Sequence, residues 1–108
     1  MAERFCENKG GCQAVFCDYD AIAFGALKAF REKGISVPDD LELLSIDITG
    51  SDLTTHSSPS LSVIKMPTEA MGSIAIDLIK ERLKNRELEP VRIEAEQELI
   101  LRESFILP

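Results

Sequence analysis

The residues best suited to chemistry are four: Asp18, Tyr19, Asp20 and Asp47. The first three follow the short apolar run Ala14-Val15-Phe16-Cys17, and Asp47 ends a second apolar run from Leu41 to Ile46. Carboxylates at such positions could hold a divalent cation through their oxygens. They could equally accept hydrogen bonds from the hydroxyls or amines of a small ligand, with the Tyr19 ring as an apolar surface and its hydroxyl as a further polar group. The other reactive side chains offer less. His56 is the only histidine, and acid–base use would need partners that the sequence does not place beside it. Cys6, Cys12 and Cys17 lack the close paired spacing of zinc modules, so free thiols are expected ahead of a metal site. Cys17 reads as a small buried strand residue. There is no Gly-rich phosphate loop, zinc-protease pair or nucleophile elbow. Gly10-Gly11 precedes a strand and so makes no phosphate cradle. No enzyme and no cofactor is expected.

The elements that must position these residues follow from pattern. Ala14–Cys17 reads as a strand covered on both faces, and the mostly apolar Leu41 to Ile46, ending in Asp47, as a second strand. Between them Asp20 is expected to cap a helix by accepting free amide hydrogens of the first turn. Gly34 is expected to end that helix, and Pro38 to keep the next connection extended. A strand–helix–strand unit in one sheet implies parallel strands and a right-handed crossover. Their C-terminal ends then share an edge, where open α/β sheets take ligands. Asp18, Tyr19, Asp20 and Asp47 should therefore line one solvent-open rim. At about 100° per residue, Ile22, Ala23, Ala26, Leu27 and Phe30 fall on the sheet-facing side of the helix. Phe24 falls among charged residues that include Lys28, as a stray surface aromatic or a partner contact.

The rest of the chain reads more simply. Met1 to Lys9 resembles the last turns of a helix. Ile48 to Ser60 is rich in Ser, Thr, Asp and Gly and reads as a loop that holds an exposed His56. Leu61 to Lys65 is a strand, and Thr68 should cap a helix whose core stripe is Met71, Ile74, Ala75, Leu78 and Ile79. Val91–Ile93 and Leu99–Leu101 read as short strands around the acidic link Glu94 to Glu98.

At 108 residues the chain suits one small domain. A formal charge of -7 argues against gripping a phosphate backbone, which needs a basic face. No run is long enough to span a bilayer. The first twelve residues lack the apolar core of a signal peptide. An odd number of cysteines without such a signal points to the cytoplasm.

The stretch AVFCDYDAIAFGALKAFREKGISVPDDLELLSID also resembles the effector-binding domain of the LacI/GalR family of bacterial repressors. The family pattern is an apolar strand ending in Asn-Asp, a helix with an Ala-x-Gly-Ala core, Gly-x-x-Val-Pro-x-Asp, and a strand ending in Gly-(Phe/Tyr)-Asp. SPSLSVIKMPTEAMGSIAIDLI and ELILRES continue the match in the same order, so the resemblance runs from about Gln13 onward. It implies a parallel-sheet, periplasmic-binding-protein-like (type I) α/β fold, present in part. Residues 13–64 and 97–106 would belong to the C-terminal subdomain and 65–96 to the N-terminal one. The helix from Thr68 would lack the sheet it normally covers. The DNA-binding headpiece, the hinge and most of the first half of the sensor domain have no counterpart, so a fragment or truncated gene product is expected. The resemblance further implies a sugar or purine-like effector, a homodimer contacting through Phe24 and Lys28, and DNA binding only through the missing headpiece.

The effector-contacting aspartate of the family stands at Asp47, here after Ser45-Ile46 instead of the usual Gly-aromatic pair. Where the family usually has asparagine, this chain has Tyr19, and where it has a small residue, Asp18. Two rival readings remain at this point. A periplasmic sugar-binding protein shares the fold. A phosphoacceptor receiver domain would use Asp18, Asp20 and Asp47 to hold a divalent metal, though no lysine stands convincingly at a later strand end.

Overall fold

A computed structural model of the chain describes residues 2–8, 10–50 and 52–107. The elements in order are α1 (Ala2–Glu7), β1 (Ala14–Cys17), α2 (Asp20–Glu32), β2 (Glu42–Asp47), α3 (Leu53–His56), β3 (Ser62–Lys65), α4 (Thr68–Lys84) and β4 (Glu98–Ile100). The strands form one sheet in the order β1-β2-β3-β4. The first three are mutually parallel, and β4 runs antiparallel to β3. The fold is thus α/β with a mostly parallel sheet, as the strand–helix–strand pattern requires.

The chain divides into two units, Met1–Met66 with Glu98–Pro108, and Pro67–Gln97. In the first, the core comprises Cys17 from β1, Ala23, Ala26, Leu27 and Phe30 from α2, and Leu41, Leu43, Leu61 and Val63. Phe5 of α1 meets Phe30 of α2 with ring centroids 6.0 Å apart. Helix α2 ends as its sequence demands. Gly34 takes φ +69, the Ile35 amide donates to the Phe30 carbonyl at 2.9 Å and the Gly34 amide to that of Arg31 at 3.2 Å. This pair of bonds satisfies carbonyls that the helix end would leave open, and only glycine takes such a φ without strain.

Several local expectations give way. Pro38 lies in a turn, not an extended link. That turn is closed by the Ser36 amide on the Asp40 carboxylate at 2.8 Å and the Asp40 amide on the Ser36 carbonyl at 2.9 Å. The segment read as a loop contains α3, one turn long, with Thr54 buried in it. β1 is covered on one face only: Cys17 is buried while Phe16 is 54% exposed. Phe24 is half-buried against the core, whereas Ile22 is 51% exposed. The buried arc centres between Ala23 and Phe30, so Ile22 and Phe24 lie on opposite flanks, each roughly 90–110° from its middle.

The second unit holds α4 and the segment that follows it. Pro67, not Thr68, occupies the N-cap position, and no side chain caps the helix. None of its residues is buried; Met71 and Ile79 of the expected core stripe are 44% and 56% exposed. Val91–Ile93 is not a strand. A strand exists by pairing its backbone with a neighbour, and among the described residues none pairs with this one.

The C-terminal segment is stapled to the sheet by buried serines. Ser104, fully buried, donates its hydroxyl to the Leu43 carbonyl at 2.7 Å and accepts the Ser62 amide at 2.8 Å. Its own carbonyl takes the Leu43 amide at 2.7 Å. Arg102 adds a guanidinium bond to the Leu61 carbonyl at 2.6 Å. Ser104→Ala leaves the buried Ser62 amide without its acceptor, so unfolding free energy in urea should fall by about 1–3 kcal/mol. A loss below about 0.5 kcal/mol, the range of an indifferent surface change, would show the staple to be dispensable.

Candidate functional site

The geometry of the rim follows from strand register. Cys17 pairs with Ser45 in the parallel β1–β2 ladder. Tyr19 and Asp47 each lie two residues further along, so the ladder delivers both to the same edge of the sheet. Lys65, exposed, is the register partner of Asp47 on β3 and brings one cation to that edge. Asp18 is exposed, and Tyr19 keeps 37% of its surface.

The two other aspartates are not open to solvent. Asp47 is only 5% exposed, and its Oδ1 accepts the Gly50 amide at 2.8 Å. Its backbone carbonyl also takes the Met66 amide. The expectation of an open Asp47 is corrected on this point: the turn after β2 folds back, and Gly50, at φ +63, directs its amide at the carboxylate. Asp20 is 4% exposed. It is the first helical residue and Tyr19 is the N-cap, with extended backbone and no side-chain cap. Asp20 still binds one first-turn amide, that of Ala21 at 2.8 Å, while its other oxygen accepts the Thr49 hydroxyl at 3.1 Å. The Tyr19 carbonyl accepts the amides of Ile22 and Ala23, the usual role of an N-cap carbonyl.

These bonds bear on a metal reading. Both Asp20 oxygens and one of Asp47 are engaged by protein donors. Among the described residues no three His, Cys, Asp or Glu side chains come together to hold an ion. A receiver-like acidic triad is therefore not assembled. Asp47 retains one carboxylate oxygen without a protein partner among the described residues, and that oxygen could accept a ligand hydroxyl or amine.

His56 ends α3, exposed, with Nδ1 2.7 Å from the Asp52 carbonyl. That contact requires a proton on Nδ1, and it ties the ring to its own helix instead of to the rim. Lys28, on the outer face of α2, sits 4.0 Å from Glu32. Cys6, Cys12 and Cys17 are free. Sequence reasoning missed Thr49 and Gly50. Asp-x-x-Gly at the strand end was a legible turn signal for Gly50, but nothing in the sequence tied Thr49 to a residue 29 positions earlier.

Burial, and secondarily the Asp18 charge, push the Cys17 thiol above its ordinary value. Less thiolate is then present at neutral pH, and thiolate is the reactive form. In a native Ellman titration Cys17 should react well after Cys6 and Cys12, and all three should react once the chain is denatured. Cys17 labelling first would contradict this placement.

The sequence matches the periplasmic binding protein-like domain over residues 3–105. The chain belongs to this family, in the form found in LacI-type transcriptional regulators. It is 32% identical over 103 residues to the HTH-type transcriptional repressor PurR of Photobacterium profundum, covering 95% of this chain and 30% of that one. It is 35% identical over 92 residues to the ribose operon repressor of Haemophilus influenzae, covering 85% and 27%. The solved structure of a transcriptional regulator CelR–cellobiose complex superposes with a TM-score of 0.85 at 30% identity, over 96% of this chain and 31% of that one. The chain thus spans about 30% of the length of these curated relatives. Among the described residues no helix is long and apolar enough to cross a membrane.

Proposed function

We propose that this chain provides one wall of the effector cleft, and part of the dimer contact, of a LacI-type DNA-binding transcriptional regulator. The carrying observation is the parallel β1–β2 register, which brings Tyr19 and Asp47 to one edge with Asp47 buried and held by Gly50. Asp47 accepts hydrogen bonds from the effector, Tyr19 offers a ring for its apolar face, and Asp18 adds an outer acceptor. The effector is a sugar or purine-like small molecule. The similarity to a regulator solved with cellobiose and to a ribose operon repressor supports the sugar class.

On this reading residues 13–64 and 97–106 are C-terminal-subdomain segments, and 65–96 belongs to the N-terminal subdomain. The regulator works in the cytoplasm without catalysing a reaction or holding a cofactor. Effector binding favours one arrangement of the regulator over another and so changes its grip on DNA. DNA contact falls to a headpiece outside this chain, whose formal charge of -7 repels phosphate.

One wall encloses only one face of a ligand, so affinity of the 108-residue chain should be on the order of millimolar or weaker. NMR titration with D-ribose, cellobiose and hypoxanthine should shift amides at 18–20 and 47–50, and Asp47→Ala should abolish the shifts. Within a complete cleft, Asp47→Ala should cost about 1.5–3 kcal/mol, the scale of a hydrogen bond to a charged group. Shifts that map elsewhere, or that survive Asp47→Ala, would refute the assignment.

The dimer contact is placed on α2 at Phe24 and Lys28. A half-buried ring beside an exposed cation suits a surface covered by a second copy. Phe24→Asp should move the chain toward monomer in analytical ultracentrifugation, with Lys28→Glu doing so while leaving the core untouched. A chain already monomeric at high concentration would exclude this contact.

A further inference from the structure

Two buried carboxylates hold the turn that follows β2. Asp47 binds the Gly50 amide at 2.8 Å from the strand itself. Asp20, 29 residues earlier at the start of α2, binds the Thr49 hydroxyl at 3.1 Å. Asp20 also holds the Ala21 amide at 2.8 Å, and its neighbour in sequence is Tyr19. The result is a continuous path of bonds: Tyr19 to Asp20 through the chain, Asp20 to Thr49 through a hydroxyl, and Thr49 through the adjacent Gly50 to Asp47.

We propose that Thr49 is a positioning residue for the effector rim, its hydroxyl clasping the turn after β2 to the start of α2 and so fixing Tyr19 relative to Asp47. This inference rests on the effector reading of the rim. The strands alone set where β1 and β2 end; they do not hold the loops beyond those ends. Loop residues without a tertiary anchor sample many conformations, and each costs entropy when a ligand selects one. Asp20 and Asp47 are each at most 5% exposed, so water competes poorly for their oxygens and a single hydroxyl can set the spacing. Ile48, 41% exposed, lies inside the clasped turn and is fixed with it as an apolar shoulder beside Asp47.

The test is amide hydrogen exchange on the 108-residue chain, with Thr49→Val to remove the hydroxyl at nearly constant shape and Thr49→Ser to restore it. In Thr49→Val the Gly50 and Ala21 amides should exchange faster by about tenfold, the scale of one lost bond to a carboxylate. The Leu43 amide, bonded to the Ser104 carbonyl at 2.7 Å, should keep its rate, which separates a loosened clasp from a destabilised fold. Thr49→Ser should return Gly50 and Ala21 to their original rates. Unchanged rates at both amides in Thr49→Val, or Thr49→Ser behaving like Thr49→Val, would overturn the proposal. Titration of the same three proteins with D-ribose adds the functional readout: any shifts at residues 18–20 and 47–50 should weaken in Thr49→Val and recover in Thr49→Ser. Shifts equally strong in all three proteins would also overturn it. If ribose shifts nothing in the unmodified chain, that result counts against ribose as effector, while the exchange rates still decide the clasp.

Discussion

Parallel pairing of β1 with β2 is the constraint on which the rest depends. Two parallel strands cannot be joined by a tight turn, so the chain must cross back over the sheet, and α2 is that crossover. The same pairing sends both strands toward one edge. Everything assigned to that edge, from the Tyr19 ring to the buried Asp47 carboxylate, inherits its place from the register of a four-residue ladder. Shift that register by one residue and Leu43, which is fully buried, would turn to the opposite face.

The two ends of the sheet are held by different means. At the end away from the rim, the serines at 60, 62 and 104 exchange backbone and hydroxyl bonds with buried groups, and Glu103 accepts the Ser60 amide and hydroxyl at 2.7 and 2.9 Å. Those bonds hold the exposed Glu103 carboxyl below its usual value. A depressed carboxylate stabilises the fold above its unfolded value and loses that contribution as pH falls through the folded one. At the rim end, the turn after β2 is held through two aspartates: Asp47 accepts the Gly50 amide and Asp20 the Thr49 hydroxyl.

Apolar surface remains on both units. Phe16 is 54% and Leu99 47% exposed on the sheet, and Ile76 and Leu83 are 53% and 69% exposed on α4. Parallel sheets ordinarily carry cover on both faces, and an amphipathic helix ordinarily rests on something. The sequence of α4 carries the periodicity of a packed helix, yet none of its residues is buried.

Local chemistry in the sequence was enough to determine the strand–helix–strand unit, the Gly34 stop and the candidates at the strand ends. Each of these depends on near neighbours: apolar runs, a glycine that tolerates positive φ, polar residues where a strand must stop. The family resemblance was legible for the same reason, since it rests on ordered local motifs. Tertiary structure alone decided what lies buried and what holds what. It turned Asp47 from an open carboxylate into one enclosed by its own turn, moved the cap of α2 from Asp20 to Tyr19, and set Phe24 rather than Ile22 against the core. It also withheld a strand from Val91–Ile93. A hydrogen bond such as Thr49 to Asp20 joins residues 29 apart, and a strand needs a partner strand. Contacts of that kind depend on how distant segments meet, which no window of neighbouring residues encodes.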